Sequence, residues 1–284
     1  MVTVEDLSFG YPGKPLLLEH LHLRLEQGHV YGLLGKNGAG KSTLLKNIVG
    51  LAFPRAGHCL LDGQPAGHRL PSVLEKVYFL PEEIHVPTLT GAQFAARTAG
   101  FYPHFDATEL QRYLHELEVP PQAVLSQLSF GQQKKFMIAF ALATNTSLLV
   151  MDEPTNGLDI PSKAQFRRLI ASALTPERCV IISTHQVRDL DSLIDTVLVL
   201  HQERIVLNAN LEELTEHVRF ATLRPGETET PLYAEDVARG RAAIVPNPEG
   251  RPSKVDLELL FNAVTGPSTD LISYLNHTRH EQPV

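Results

Sequence analysis

HVYGLLGKNGAGKST, residues 29–43, decides the fold. An apolar run of strand character, HVYGLLG (29–35), enters a glycine-rich turn, and KSTLLKNIVGL (41–51) leaves it with helical spacing. Gly35, Gly40, Lys41 and Ser42 satisfy G-x-x-x-x-G-K-[ST]. Glycines at such a turn let successive backbone N–H groups point inward, where a side chain would block a phosphate. A helix N-terminus adds the positive end of its dipole. Lys41 then brings a full charge to the β- and γ-phosphates, and Ser42 offers an oxygen to Mg²⁺. Gly35, Asn37, Gly38, Ala39, Gly40, Lys41, Ser42 and Thr43 are the candidate nucleotide-binding residues. A bare glycine turn would not carry strand, motif and helix together.

Two further apolar runs, SLLVMD (147–152) and CVIIST (179–184), read as central parallel strands covered on both faces. Between them PSKAQFRRLIASAL (161–174) opens with a proline suited to a first helical turn. KVYFLP (76–81) is another strand candidate. This alternation predicts an α/β core. LLVMDEP ends a strand in Asp152 and Glu153, where ligands of open α/β sheets bind. Alone these acids read equally well as helix caps. Beside a phosphate loop, Asp152 suits a metal held through water, and Glu153 suits polarising a water for attack on a γ-phosphate.

The flanking regions differ in character. TVEDLSF and LLLEHLHLRLEQG alternate with period two, which places Leu17, Glu19, Leu21, Leu23 and Leu25 on one side of an N-terminal antiparallel β subdomain. Residues of about 83–145 include a helical insertion, with Asp106 or Thr108 as a cap. TVLVLHQERIVLNANLEEL (196–214) reads as a hairpin followed by a helix capped by Asn210, with Glu213 three residues later. From about 222 the chain turns Pro/Gly-rich and polar, then ends in VDLELLFNAVTG, where Leu257, Leu260, Phe261 and Val264 form an amphipathic stripe that needs a docking surface. The expected division is 1–221 and 222–284.

The 284 residues are 43% hydrophobic with a net charge of −7, enough for a large core and against a sequence-independent nucleic-acid binder. Thirteen histidines show no metal-ligand spacing. Cys59 and Cys179 both lie in apolar runs, which predicts buried, reduced thiols and a cytosolic setting. No run approaches the roughly 20 apolar residues that span a bilayer, so a membrane role calls for spanning helices from another chain.

GKNGAGKST, LSFGQQKK, LLVMDEPTNGLD and ISTHQ occur in this order, and together they resemble the ATP-binding subunit of an ABC transporter over residues 1 to about 220. The resemblance implies a P-loop NTPase core with a mostly parallel sheet, an N-terminal antiparallel β subdomain, a helical insertion subdomain and a small C-terminal extension. It implies an ATPase using ATP and Mg²⁺, closing head to tail with a second copy. It places the protein on the cytoplasmic face of a membrane against a separate permease, with no nucleic-acid partner. Tyr11 matches the aromatic that stacks on adenine. His185 matches the switch histidine that senses the γ-phosphate. Ser129, Gly131 and Gln132 match the element that contacts the opposite subunit's ATP, and Asp159 matches an acid that contacts the opposite subunit.

Two positions depart from the family pattern. Glu82 stands where many members carry glutamine; it keeps an oxygen acceptor for metal and water and loses the amide donor. Phe130 replaces the first glycine of SGGQ and is expected to pack into the helical insertion. Lys134 and Lys135 oppose the helix dipole, which favours either an incoming phosphate or full solvation. FYPHF (101–105) clusters three aromatics near the expected permease contact, for core or partner. The tail is similar to those of bacterial exporter-type subunits, which favours export. A soluble ribosome- or chromosome-acting ATPase fits less well: the chain has one ATPase core, and only 87 residues lie between Lys41 and Ser129, without heptads. A non-hydrolysing nucleotide-binding module would lack Glu153 or His185.

Overall fold

The structure is a computed structural model that describes residues 1–190, 192–224, 229–238 and 240–280. The chain opens with β1 (Val2–Phe9), β2 (Leu18–Leu25), β3 (Val30–Leu34) and α1 (Lys41–Ile48). β4 (Ala56–Leu61), β5 (Gln64–Pro65), a short α2 (Pro71–Leu74) and β6 (Val77–Leu80) follow. Three helices come next: α3 (Gly91–Thr98), α4 (Ala107–Glu116) and α5 (Phe130–Ala143). The core resumes with β7 (Leu148–Asp152), α6 (Ile160–Ala173), β8 (Cys179–Thr184), β9 (Thr196–His201) and β10 (Arg204–Asn210). After α7 (Leu211–His217) come β11 (Val218–Leu223), β12 (Tyr233–Val237), β13 (Gly240–Pro246), α8 (Leu257–Thr265) and α9 (Asp270–His280).

The central sheet runs β10-β9-β3-β8-β7-β6, parallel except for the edge strand β10. Its strands are apolar without alternation because both faces are covered. Alternate residues then feed two cores. Leu34, Met151, Ile182 and Val199 pack toward α4, α5, α6 and α8. Leu33, Val150, Ile181 and Leu198 pack toward α1 and the antiparallel sheet β2-β1-β4-β5. Both cysteines are buried and unbridged.

The N-terminal alternation holds for Leu21, Leu23 and Leu25 but fails further back. Leu18, not Leu17, is the buried residue there, and Glu19 is half-buried. The cause is a pair of bulges: Asp6 and His20 take positive φ of 48°, shift the β1–β2 register, and meet through His20 Nδ1 and Asp6 Oδ1 at 2.6 Å.

In the helical segment, Asp106 rather than Thr108 caps α4, accepting from the N–H groups of Thr108 and Glu109. Tyr102 and Phe105 pack on Phe140, whereas Phe101 is 72% exposed. Asn210 caps α7, accepting from the N–H groups of Glu212 and Glu213. β11, β13 and β12 form a third, antiparallel sheet, and β11 runs through residue 222. Asp256 caps α8, whose stripe finds its surface on β9, β10, β12 and β13; Leu259 is buried in it while Phe261 is half-buried. Part of the Pro/Gly-rich stretch, 225–228, lies outside the described residues.

Candidate functional site

Parallel register assembles the site. Leu34 of β3 pairs with Thr184 of β8, and Asp152 of β7 pairs with Ser183 of β8. The loop after β3, the acids after β7 and His185 after β8 therefore leave the sheet at one edge, as open α/β folds require. The loop, Glu153 and His185 border a cleft of about 350 Å³ lined by Leu17, Asn37, Gly38, Gly40, Lys41, Ser42, Thr43, Glu82, Glu153 and His185, with Asp152 next to Glu153 at the end of β7.

The phosphate-loop geometry suits an anion. Gly38 and Gly40 take positive φ of 79° and 104°, and a β-carbon on Gly38 would point into open space. α1 starts without a side-chain cap and without an acid in its own first turn, so no capping side chain satisfies its leading N–H groups. Lys41 is buried, and its ammonium donates back to the carbonyls of Gly35 (2.8 Å) and Lys36 (3.4 Å), with Glu153 Oε1 at 3.7 Å. Tyr11 stands beside the loop, its hydroxyl 3.2 Å from Thr43 Oγ1, and its ring meets Phe9 edge-on. Arg55 fixes that turn by donating to the carbonyls of Gly10, Tyr11 and Lys14.

The carboxylates are held separately. Ser183 Oγ donates to Asp152 Oδ1 at 2.5 Å. Glu153 is a non-glycine residue at φ 47°, and its backbone N–H donates to Ser183 O. That turn swings its side chain into the cleft, where Oε1 meets His185 Nδ1 at 2.8 Å. Glu153 Oε2 is buried and has no hydrogen-bond partner. An unpaired buried carboxylate oxygen is costly, and its place beside the phosphate loop suits a water or ligand group. Glu82 follows β6, and its Oε1 accepts from Asn156 Nδ2 at 2.9 Å.

Tyr11, Gly35, Ala39 and Asp152 adjoin residues that line this cleft, whereas Ser129, Gly131, Gln132 and Asp159 stand apart at the starts of α5 and α6. Ser129 caps α5, accepting from Gln132 N–H, while Gln132 Oε1 accepts from Ser129 N–H: a capping box. Gly131 lies against Gly157, so close that a β-carbon would be 3.3 Å from the Gly157 carbonyl. Asp159 caps α6 by accepting from Ser162 N–H, and the Ser162 hydroxyl, followed by that N–H, holds its carboxyl below the ordinary range.

Two expectations are corrected here. Phe130 does not pack into the helical insertion. Its ring covers Gly157, in the turn between the carboxylates and α6, and the side chain is 50% exposed. Lys134 is neither solvated nor open to an incoming phosphate. It is fully buried, donating to the carbonyls of Glu153 (2.7 Å) and Glu82 (3.3 Å). Burial pulls its pKa below the ordinary lysine value, against the nearby Glu82, Glu153 and Asp152. The signal was in the sequence: Lys134, Ile138 and Ala141 fall at i, i+4 and i+7 and are all buried. Ser183 was legible as a polar residue ending an apolar strand; Arg55 and Asn156 carried no signal.

A larger cleft of about 480 Å³, bordered by Glu75, His104, Glu177 and Arg178, contains none of these residues. Arg178 is already spent on the carbonyls of Leu142, Thr146 and Ala173 and on Asn145 Oδ1.

Known proteins match this arrangement. The sequence profile of the family described as ABC transporter matches residues 18–156. The SkfA peptide export ATP-binding protein SkfE of Bacillus subtilis (strain 168) is 30% identical over 228 residues, covering 78% of this chain and 93% of that protein. The ribose import ATP-binding protein RbsA of Pseudomonas putida (strain KT2440) is 32% identical over 220 residues; the match covers 72% of this chain but only 43% of that protein. The dimeric, post-hydrolysis ATP-binding cassette MJ0796, bound to ADP and Pi, superposes with a TM-score of 0.66 at 21% identity, over 74% of this chain and 99% of that one.

Proposed function

This chain belongs to the ABC transporter ATP-binding subunits, a family of ATPases, and from that premise we propose that it drives transport through a separate membrane permease as a head-to-tail pair of copies. One observation carries the pairing. The phosphate loop, Glu153 and His185 share one cleft, whereas Ser129, Gly131 and Gln132 sit at the start of α5, outside it. A second copy brings its own α5 start to that cleft and completes the site. The solvent-facing Phe130 and Ile160, 50% and 84% exposed, give this surface apolar area to bury.

Within the closed pair, Lys41 and the leading N–H groups of α1 bind the β- and γ-phosphates. Tyr11 offers an aromatic face to the base. Glu153 Oε2 accepts a proton from the attacking water, and His185 holds the other carboxylate oxygen in place. Ser42, Asp152 and Glu82 supply the hard oxygens that Mg²⁺ prefers. Among the described residues no three His, Cys, Asp or Glu side chains form a metal cluster. When bound, the Mg²⁺ ion neutralises phosphate charge.

Exposed apolar side chains support the permease reading. Among the described residues no helix is long and apolar enough to cross a membrane. Phe53 and Phe101 are 62% and 72% exposed, and Leu51 and Leu70 are exposed on segments flanking Phe53 and its neighbour Gly67. We place the protein on the cytoplasmic face, exporting rather than importing; the extent of the SkfE match supports that direction. Purification of the tagged chain from its native membranes tests the reading. A co-purifying multispanning protein that raises its ATPase rate is the expected result. Reproducible isolation without any membrane protein would contradict it.

A further inference from the structure

Lys134 is the fifth residue of α5, one turn in from Phe130, yet its ammonium is fully buried beneath the hydrolytic cleft. Both of its hydrogen bonds go to main-chain carbonyls, those of Glu153 (2.7 Å) and Glu82 (3.3 Å). The Phe130 ring closes over it, 5.7 Å from Nζ. Burying an ammonium is expensive, so the position calls for a gain elsewhere.

Glu153 shows where that gain lies. Its backbone sits at φ 47°, a left-handed conformation that a residue with a β-carbon adopts only under constraint. This turn points Oε1 at His185 and leaves Oε2 unpartnered. Lys134 binds the carbonyl of the same strained residue, and its second bond holds the chain at Glu82, which borders the cleft from β6.

We propose that Lys134 is a positioning residue for ATP hydrolysis, fixing from the start of α5 the backbone turn that aims Glu153 at the cleft. The proposal rests on the reading of Glu153 as the base that activates water. It also has a directional consequence. Ser129, Gly131 and Gln132 open α5 one turn before Lys134, so whatever docks on the start of this helix is tied by one side chain to the hydrolytic carboxylate of the same chain.

Steady-state ATP hydrolysis and nucleotide affinity of wild type, Lys134→Met, Lys134→Gln and Glu153→Gln test it. Lys134→Met is expected to lower kcat at least about tenfold while nucleotide Kd stays within about threefold, because the lysine bonds neither the phosphate loop nor Tyr11 and meets Glu82 only at its main-chain carbonyl. Lys134→Gln, which keeps a donor of shorter reach, is expected to fall between. A kcat for Lys134→Met within about twofold of wild type, or a parallel loss of kcat and affinity, would overturn the proposal. If Lys134→Met does not fold, Lys134→Gln decides alone: a kcat drop of about threefold or more with affinity kept supports it, and any other result overturns it. Glu153→Gln separates the premise. If that variant hydrolyses ATP at the wild-type rate, Glu153 is not the base and the positioning role falls with it; if it is inactive, the lysine variants judge the proposal by themselves.

Discussion

The ring of Phe130 covers Gly157 so closely that a β-carbon at Gly157 would lie 2.8 Å from the ring. Gly157 also has φ 81°, so the contact and the backbone both demand glycine. Gly157→Ala is expected to destabilise the fold by about 1–3 kcal/mol in chemical denaturation. In a Phe130→Gly background the steric part disappears and about 1 kcal/mol of backbone cost remains. Additive losses in the double variant would contradict the contact.

Phe130→Gly by itself is expected to leave nucleotide affinity unchanged, since the ring touches the turn before α6 and Lys134 but not the phosphate loop. ATP-driven pairing of the Phe130→Gly chain, compared with wild type by light scattering, separates two roles. Retained pairing fits a packing role. Markedly stronger pairing would make Phe130 a brake on closure.

Glu82→Gln tests the departure at that position. A glutamine amide oxygen accepts the Asn156 hydrogen bond as the carboxylate Oε1 does. The backbone carbonyl that meets Lys134 is untouched. The variant is expected to hydrolyse ATP within about threefold of wild type. A loss as severe as that of Glu153→Gln would sink the assignment.

Burial pushes the Cys59 and Cys179 thiols up to about 12. Neither is expected to react with a maleimide at neutral pH until the protein unfolds. The raised values also fix a sign. Between the unfolded value of 9.0 and about 12 the folded state holds the extra protons, so these thiols make stability fall as pH rises through that window. Rapid labelling of the folded chain, followed by peptide mass spectrometry, would contradict the burial.

Much of this was readable beforehand, for physical reasons. The phosphate loop, the apolar strands and the caps at Asp106 and Asn210 are local signals, and the structure forms the strand, turn and helix around that loop and both caps. The paired bulges at Asp6 and His20 were not, because a bulge shifts register without changing composition. Phe130 and Lys134 were misread because each was judged against its own helix. Their partners, Gly157 and the Glu153 carbonyl, lie 27 and 19 residues along the chain, on the turn after β7. The carboxylate orientation was beyond sequence altogether, since it hangs on one left-handed residue.

The most direct test of the composite site is the mass of the Glu153→Gln chain in solution with and without ATP. Loss of the water-activating carboxylate, at about 10²–10⁴-fold in rate, should trap the closed state. The account predicts a monomer without nucleotide, a dimer with ATP, and a return to monomer when Ser129→Arg is added to the same chain. A Glu153→Gln chain that stays monomeric at saturating ATP, or a dimer indifferent to Ser129→Arg, would contradict it.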